Sequence, residues 1–235
     1  MSSTVLETAL PALWLVRHGE STWNSAGLAQ GHNDEAELTE RGLRQAAQAA
    51  RQFRDRPVRA IHASDLRRAQ QTAAEFAAVL GLPVYADARL RERSLGVLEG
   101  SAHKTIGPSL TGLADGLVID PDARPPAGES VRDLYLRAAA FFDDLAAGLR
   151  YGHGTLRGLT GAVPASTGPA SPGPGSTGPG SNDGDVLVIA HGGTVRVLDA
   201  YIHGVPVDQM TWRPVDNATI VRIPGFGTPL RGGNR

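Results

Sequence analysis

Leu13-Trp14-Leu15-Val16-Arg17-His18-Gly19-Glu20 sets four apolar residues directly before a basic residue, a histidine, a glycine and an acid. A run that short and apolar reads as a buried strand, and the polar cluster with its glycine marks where the strand stops. The same pattern recurs twice. Val58 to Ala63 runs into Ser64 to Arg68, and Val186 to Ala190, the most strand-like segment of the chain, runs into His191-Gly192-Gly193. Helical periods fill the intervals: Leu43, Ala46, Ala47, Ala50 and Phe53 after Thr39 as N-cap, then Leu66, Ala69, Ala73, Phe76, Ala77 and Leu80 after Ser64 as cap, closed by Gly81. A third helix opens at Glu129 or Ser130 and carries Val131, Leu134, Ala138, Phe142 and Leu145 on one face. Thr194 to His203 reads as a helix stopped by Gly204, and Thr219 to Ile223 as a last strand. Alternation of this kind predicts an α/β fold, a three-layer sandwich with a mainly parallel central sheet and helices on both faces.

The chain has 235 residues, 41% of them apolar and 20% charged, with 23 basic against 24 acidic residues and a formal net charge of -1. That balance argues against a nucleic-acid or membrane-surface binder, which needs a surplus of Lys and Arg. Any phosphate chemistry is therefore local. With no cysteine, thiolate nucleophiles, disulfides and Cys-type metal sites are excluded. The start lacks the basic n-region and apolar core of a signal peptide, and no run approaches the ~20 apolar residues of a membrane span, so the expectation is a cytoplasmic protein.

Between Pro164 and Asn182, 16 of 19 residues are Gly, Pro, Ser or Thr, too few apolar groups to form a core. The part that follows, about 50 residues, is near the lower limit for folding alone. The expectation is thus one domain over 1–235, with a core of about 12–224 interrupted by a flexible linker at about 161–184.

In open α/β sheets, ligands bind outside the carboxyl ends of the strands, which is where all three polar clusters fall. Two Arg and two His gathered there, in a chain of near-zero net charge, describe a pocket for an anion, most naturally phosphate. Gly19 and Gly192, each beside a histidine, read as positions where backbone approaches that ligand.

Leu15-Val16-Arg17-His18-Gly19-Glu20-Ser21-Thr22-Trp23-Asn24, Ser64-Asp65-Leu66-Arg67-Arg68-Ala69-Gln70-Gln71-Thr72-Ala73, Leu90-Arg91-Glu92-Arg93 and Ala190-His191-Gly192-Gly193 resemble, in order, the four signatures of the histidine phosphatase, or phosphoglycerate mutase-like, superfamily. Gln30-Gly31, Leu38-Thr39-Glu40, Gly128-Glu129-Ser130 and Asn217-Ala218 add weaker matches, so the resemblance runs from about Leu13 to Ile223. It implies that His18 attacks phosphorus as a neutral imidazole and becomes transiently phosphorylated, while Arg17, Arg68 and His191 hold the phosphoryl oxygens. It implies Glu92 as the acid for the leaving alkoxide and then the base for water. Asn24, Gln30 and Gly31 match substrate-contacting positions. The resemblance implies neither a metal nor a cofactor.

Other residues have plainer readings. Arg67 is expected on a solvated helix face, Trp23 as a wall or core residue, and His32, His62, His103, His153 and His203 in structural or exposed roles. Similar mutases carry Asn at the position of Gly193 and a long insertion with paired arginines; the stretch from Ser101 to Ala127 is short, with Lys104 and Arg124 as its only Lys or Arg. Glu92-Arg93 echoes the mutase pattern, but Ser94-Leu95 departs from it, and Leu95 to Gly100 is similar to a segment of several sugar-phosphate phosphatases. The expected activity is therefore hydrolysis of a small phosphorylated metabolite, such as a sugar phosphate, by a phosphomonoesterase of the histidine acid phosphatase type. A phosphoglycerate mutase-type phosphotransferase and a noncatalytic phosphate binder are the alternatives. The expected partner is that metabolite rather than nucleic acid or membrane, with a homodimer allowed for.

Overall fold

The computed structural model describes residues 11–150 and 184–225. Of the expected linker, residues 161–183 lie outside them, as does His153. In chain order the strands are β1 (Leu13–Arg17), β2 (Val58–Ala63), β3 (Val84–Ala86), β4 (Leu113–Ala114), β5 (Leu117–Val118), β6 (Asp185–Ala190) and β7 (Ile220–Ile223). The helices are α1 (Thr22–Ser25), α2 (Glu40–Arg51), α3 (Arg67–Leu80), α4 (Pro108–Thr111), α5 (Val131–Arg150) and α6 (Gly192–Ile202).

Five strands form one sheet in the order β3-β2-β6-β1-β7, parallel except for β7. Side chains alternate across it. Leu13, Leu15, Val186 and Val188 face α5 and α6, while Trp14, Val16, Leu187 and Ile189 face α2 and α3. Covering both faces explains why β1 and β6 read as unbroken apolar runs rather than alternating ones. This is the expected three-layer α/β sandwich. β6 lies at its centre, between β1 and β2, and begins level with the start of β2: Asp185 pairs with Val58.

Local chemistry accounts for most helix ends. Thr39 accepts from Gly42 N–H as N-cap of α2, and Gly81 ends α3 in the left-handed conformation. Ser130 and Asp133 exchange side-chain and backbone hydrogen bonds at the start of α5. Two expectations fail. Ser64 does not cap α3; Leu66 occupies that position without a side-chain bond, and the helix N-terminus is instead met by Asp34, whose carboxylate accepts from Arg67 N–H. Leu43, expected on the apolar face of α2, is exposed, because Gly42, Ala46 and Ala49 make the buried stripe. α6 also begins two residues earlier than its periodicity suggests, at Gly192, which makes His191 its N-cap. Among the described residues, no helix is long and apolar enough to cross a membrane.

Candidate active site

β1, β2 and β6 deliver Arg17-His18, Ser64 and His191 to one edge of the sheet, the carboxyl end of its three inner strands. A cavity of about 390 Å³ opens there, and Arg17, His18, Arg68, Glu92 and His191 all line it, as do Asn24, Gln30 and Gly31. Every site residue expected from the sequence therefore reaches the same space.

His18 is buried, and its Nδ1 lies 2.7 Å from the carbonyl oxygen of Gly19. A carbonyl only accepts, so Nδ1 carries the ring proton and Nε2 keeps its lone pair. Burial first, then the positive charges of Arg68 and Arg17, hold the imidazole well below its usual pKa, and it is neutral at pH 7. His191 stands with its ring centroid 5.1 Å from that of His18 and is depressed by the same causes. Its Nε2 is 2.8 Å from Ser64 Oγ. Ser64 is buried and its oxygen accepts from Leu66 N–H at 3.3 Å; among the described residues its own hydrogen has no acceptor but Nε2, so Nε2 accepts and the His191 proton resides on Nδ1. Ser64 is thus a tautomer-setting residue rather than a helix cap.

Arg68 is wholly buried, yet it is held from behind: Nη1 donates to Asn33 O and Nη2 to Gly31 O, both at 2.8 Å. Burial lowers its pKa to about 10, against the opposing effect of Glu92, and it remains cationic at neutral pH. Arg17 donates from Nη1 to Val215 O. Arg17 Nε, Arg68 Nε and His191 Nδ1 are all buried without a hydrogen-bond partner among the described residues. An unpaired buried donor costs about 1–3 kcal/mol, more when charged. Three of them on side chains that line one cavity describe a binding site for an oxyanion.

Glu92 completes the ring. Its Oε2 accepts from Gly193 N–H and its Oε1 from Arg93 N–H, both at 2.8 Å. Its carbonyl accepts from His32 Nε2 at 2.8 Å and from Arg137 Nη2 at 3.1 Å. Arg137 also donates to the carbonyls of Arg89 and Arg91 and pairs with Glu129 at 2.7 Å, so it clamps the loop that aims Glu92. A basic residue beside Leu134 and Ala138 was the sequence signal for this role. The glycine reading needs correction at Gly19. A Cβ there would strike the Gly42 carbonyl, so Gly19 lets the β1 turn lie against α2 rather than bringing backbone to a ligand, whereas Gly192 lines the cavity. A Cβ at Gly193 would strike Glu92 Oε1, so that glycine admits Glu92 to a backbone N–H.

Asn24 Oδ1 accepts from Ser21 N–H and Asn217 Nδ2, which leaves its NH2 for the cavity. Gln30 accepts from Ser21 Oγ at 2.8 Å. Arg67 is exposed, as expected, and pairs loosely with Glu37. His103 is exposed, as expected, and also lines the cavity, together with Arg93, Arg196 and Trp212. Arg93 belongs to the third motif but was given no role there, while His103, Arg196 and Trp212 escaped sequence reading because each arrives from a loop or a helix turn outside the four motifs. Among the described residues, no group of three or more His, Asp and Glu side chains is placed to hold a metal ion.

The model of the histidine phosphatase superfamily (branch 1) matches residues 13–155 and 178–227, leaving out most of the Gly/Pro/Ser/Thr stretch. A protein of Yersinia pestis (strain Pestoides F) named probable phosphoglycerate mutase GpmB is 41% identical over 132 residues, which is 56% of this chain and 61% of the relative. The chain thus spans about three fifths of the length of the curated relatives it matches. The mycobacterial glucosyl-3-phosphoglycerate phosphatase solved with VO3 superposes with a TM-score of 0.68 at 29% identity, covering 90% of this chain and 92% of that one. A phosphoserine phosphatase mutant from Entamoeba histolytica, solved with phosphoserine, shares the fold at 20% identity, with a TM-score of 0.65 and coverage of 91% and 90%. Four motifs converging on one anion-binding cavity and a family match over most of the chain agree: this protein belongs to the histidine phosphatase superfamily, branch 1.

Proposed function

We propose that the protein is a phosphomonoesterase that hydrolyses a small phosphorylated metabolite through a phosphohistidine on His18, without a metal or cofactor. The observation that carries this reading is the set of unpaired buried donors on Arg17, Arg68 and His191 beside the free Nε2 of His18. In the first step Nε2 bonds to phosphorus as the ester P–O bond breaks, and Glu92 in its acid form gives its proton to the departing alkoxide. In the second, Glu92 takes a proton from water, the hydroxide bonds to phosphorus, and the P–N bond breaks to restore neutral His18. The two guanidinium groups and His191 Nδ1–H meet the charge that spreads over the phosphoryl oxygens in both steps. Asn24 and Gln30 contact the substrate, and Gly31 acts through its carbonyl on Arg68.

Phosphatases among the structural neighbours support water as the second nucleophile, and Gly193 at the position of the mutase Asn points the same way. The relatives named phosphoglycerate mutase favour a second reading, transfer of the phospho group back to an acceptor. One experiment separates them: follow inorganic phosphate release and the interconversion of 2- and 3-phosphoglycerate in the same reaction. Release without interconversion is expected. Interconversion faster than release would establish the mutase, and phosphate binding with neither activity would establish a noncatalytic binder.

A further inference from the structure

Phosphoryl transfer needs Arg68 and Glu92 in register, yet the two arrive on separate elements, Arg68 in the first turn of α3 and Glu92 in the loop that follows β3. Three consecutive residues outside the four motifs join them. The carbonyls of Gly31 and Asn33 hold the Arg68 guanidinium, each at 2.8 Å, and the residue between them, His32, places its Nε2 2.8 Å from the Glu92 carbonyl oxygen. A carbonyl only accepts, so Nε2 is the donor. His32 is half-buried and, unlike Gly31, does not line the cavity, so any part it takes in the chemistry is taken through Glu92.

The tripeptide is itself fixed. Gly31 has a φ of 48°, and a Cβ there would strike Glu99 Oε1. That close approach lets Glu99 Oε1 accept from His32 N–H at 2.9 Å while it also accepts from Leu95 N–H and Ser94 Oγ, both at 3.1 Å. One carboxylate oxygen thus ties residues 31–33 to the segment that runs on from Glu92. Glu129 closes the other side: it accepts from Ser94 N–H, pairs with Arg137, and has its Oε2 3.6 Å from His32 Nε2. Arg137, the second donor to the Glu92 carbonyl, comes from α5 and binds the carbonyls of Arg89 and Arg91 as well. Arg137 therefore holds the Glu92 loop in its own shape, whereas His32 holds that loop to the residues that grip Arg68.

We propose that His32 is a positioning residue for the acid step: by bonding the Glu92 backbone from the turn whose carbonyls hold Arg68, it sets the distance between the proton donor and the bound phosphoryl group. This inference rests on the phosphomonoesterase reading with Glu92 as the acid. Proton transfer needs the acid within about 2.6–3.2 Å of the leaving oxygen, and a displacement of about 1 Å at a reacting group costs up to about a hundredfold in rate. Because Arg137 keeps its own bond to the same carbonyl, the loss of His32 should cost less than that. A residue that merely braced the turn would, when lost, disturb Arg68 as much as Glu92 and slow every ester alike.

The test measures kcat/KM on glycerol 3-phosphate and on 4-nitrophenyl phosphate for the wild type, His32→Ala, His32→Asn, His32→Gln, Glu92→Gln and the double variant of Glu92→Gln with His32→Ala. His32→Ala should lower the alkyl ester by about tenfold and the aryl ester, whose leaving group needs no proton, by less than about threefold. Glutamine carries its amide nitrogen about where histidine carries Nε2, and asparagine about where it carries Nδ1. His32→Gln should therefore recover most of the loss and His32→Asn little of it, a comparison that stands even where His32→Ala fails to fold. On the Glu92→Gln background, adding His32→Ala should cost less than about twofold more on the alkyl ester, because the group it positions no longer delivers a proton. Equal losses on the two esters in His32→Ala, equal activity of the Asn and Gln variants, or the full further loss on the Glu92→Gln background would overturn the positioning role and leave hydrolysis and the role of Glu92 intact. Equal losses on the two esters in Glu92→Gln itself, or no hydrolysis of either by the wild type, would overturn the acid reading and this inference with it.

Discussion

Among the described residues, two regions bury imidazoles, and they use them differently. At the carboxyl edge of the sheet, His18 and His191 sit among arginines, each with one ring nitrogen engaged by a fixed partner and the other left over. In the interior of β2, His62 is buried between Tyr85 and Phe141, with ring centroids 5.5 Å and 5.6 Å away, and neither of its nitrogens has a hydrogen-bond partner among the described residues. Burial depresses all three pKa values. Burial alone therefore does not make a site. Function follows from the second set of facts: a lone pair fixed by a carbonyl, unpaired donors from several elements, and a cavity for the group they would meet.

The sharpest way to break this contrast is to exchange the two kinds of histidine. His18→Ala should lower turnover by more than about a thousandfold and abolish acid-labile phosphate incorporation with it, whereas His62→Phe should leave both in place. A His18→Ala enzyme that still turns over, or a His62→Phe enzyme that does not incorporate phosphate, would erase the distinction. A smaller effect sharpens the site half. Glu92→Gln should slow an alkyl phosphate by about a hundredfold or more and an activated aryl phosphate by less than about tenfold, because only the alkoxide needs a proton to leave. Equal losses on the two esters would move Glu92 from proton transfer to a structural role.

The smallest effect sharpens the core half. His62 titrates near 4 in the folded chain, below the usual 6.5, because burial disfavours its charged form more than Asp87 favours it. Between those values the unfolded chain binds the extra proton, so stability is fully present above about pH 6.5 and is lost as pH falls toward 4. The full shift corresponds to about 3 kcal/mol, of which roughly 2 kcal/mol is lost by pH 5. Urea unfolding at pH 7.5 and pH 5 should show wild type losing that much more than His62→Phe. Parallel losses in the two proteins would mean that His62 keeps its proton equilibrium on folding.

How much of this was legible in the chain depends on the range of the forces involved. Strand ends at Arg17 and Ala190, the caps at Thr39 and Ser130 and the stop at Gly81 follow from local geometry, and each appears where its residue type requires. β3 was missed because three residues, of which only Val84 is buried, carry no period. Ser64 misled because a serine before a helix can cap it, and nothing nearby in sequence says that His191 will claim the hydroxyl instead.

Local pattern thus determined the layered α/β sandwich, the edge on which chemistry gathers, and the gathering of Arg17, His18, Arg68 and His191 there; the family resemblance added Glu92 to that group. Those are consequences of periodicity and of motifs a few residues long, read within reach of a single turn or strand. The tertiary structure alone decided which nitrogen of His18 is free, that Gly193 serves Glu92, that Arg137 clamps the Glu92 loop, and that Arg93 and Arg196 line one cavity with Trp212. Each of these rests on contacts made in three dimensions, where a carbonyl, a ring or a carboxylate from another element sets a side chain's protonation and direction. A composition of near-zero net charge conceals a cavity lined by four arginines, because charge is counted along the chain but felt across space.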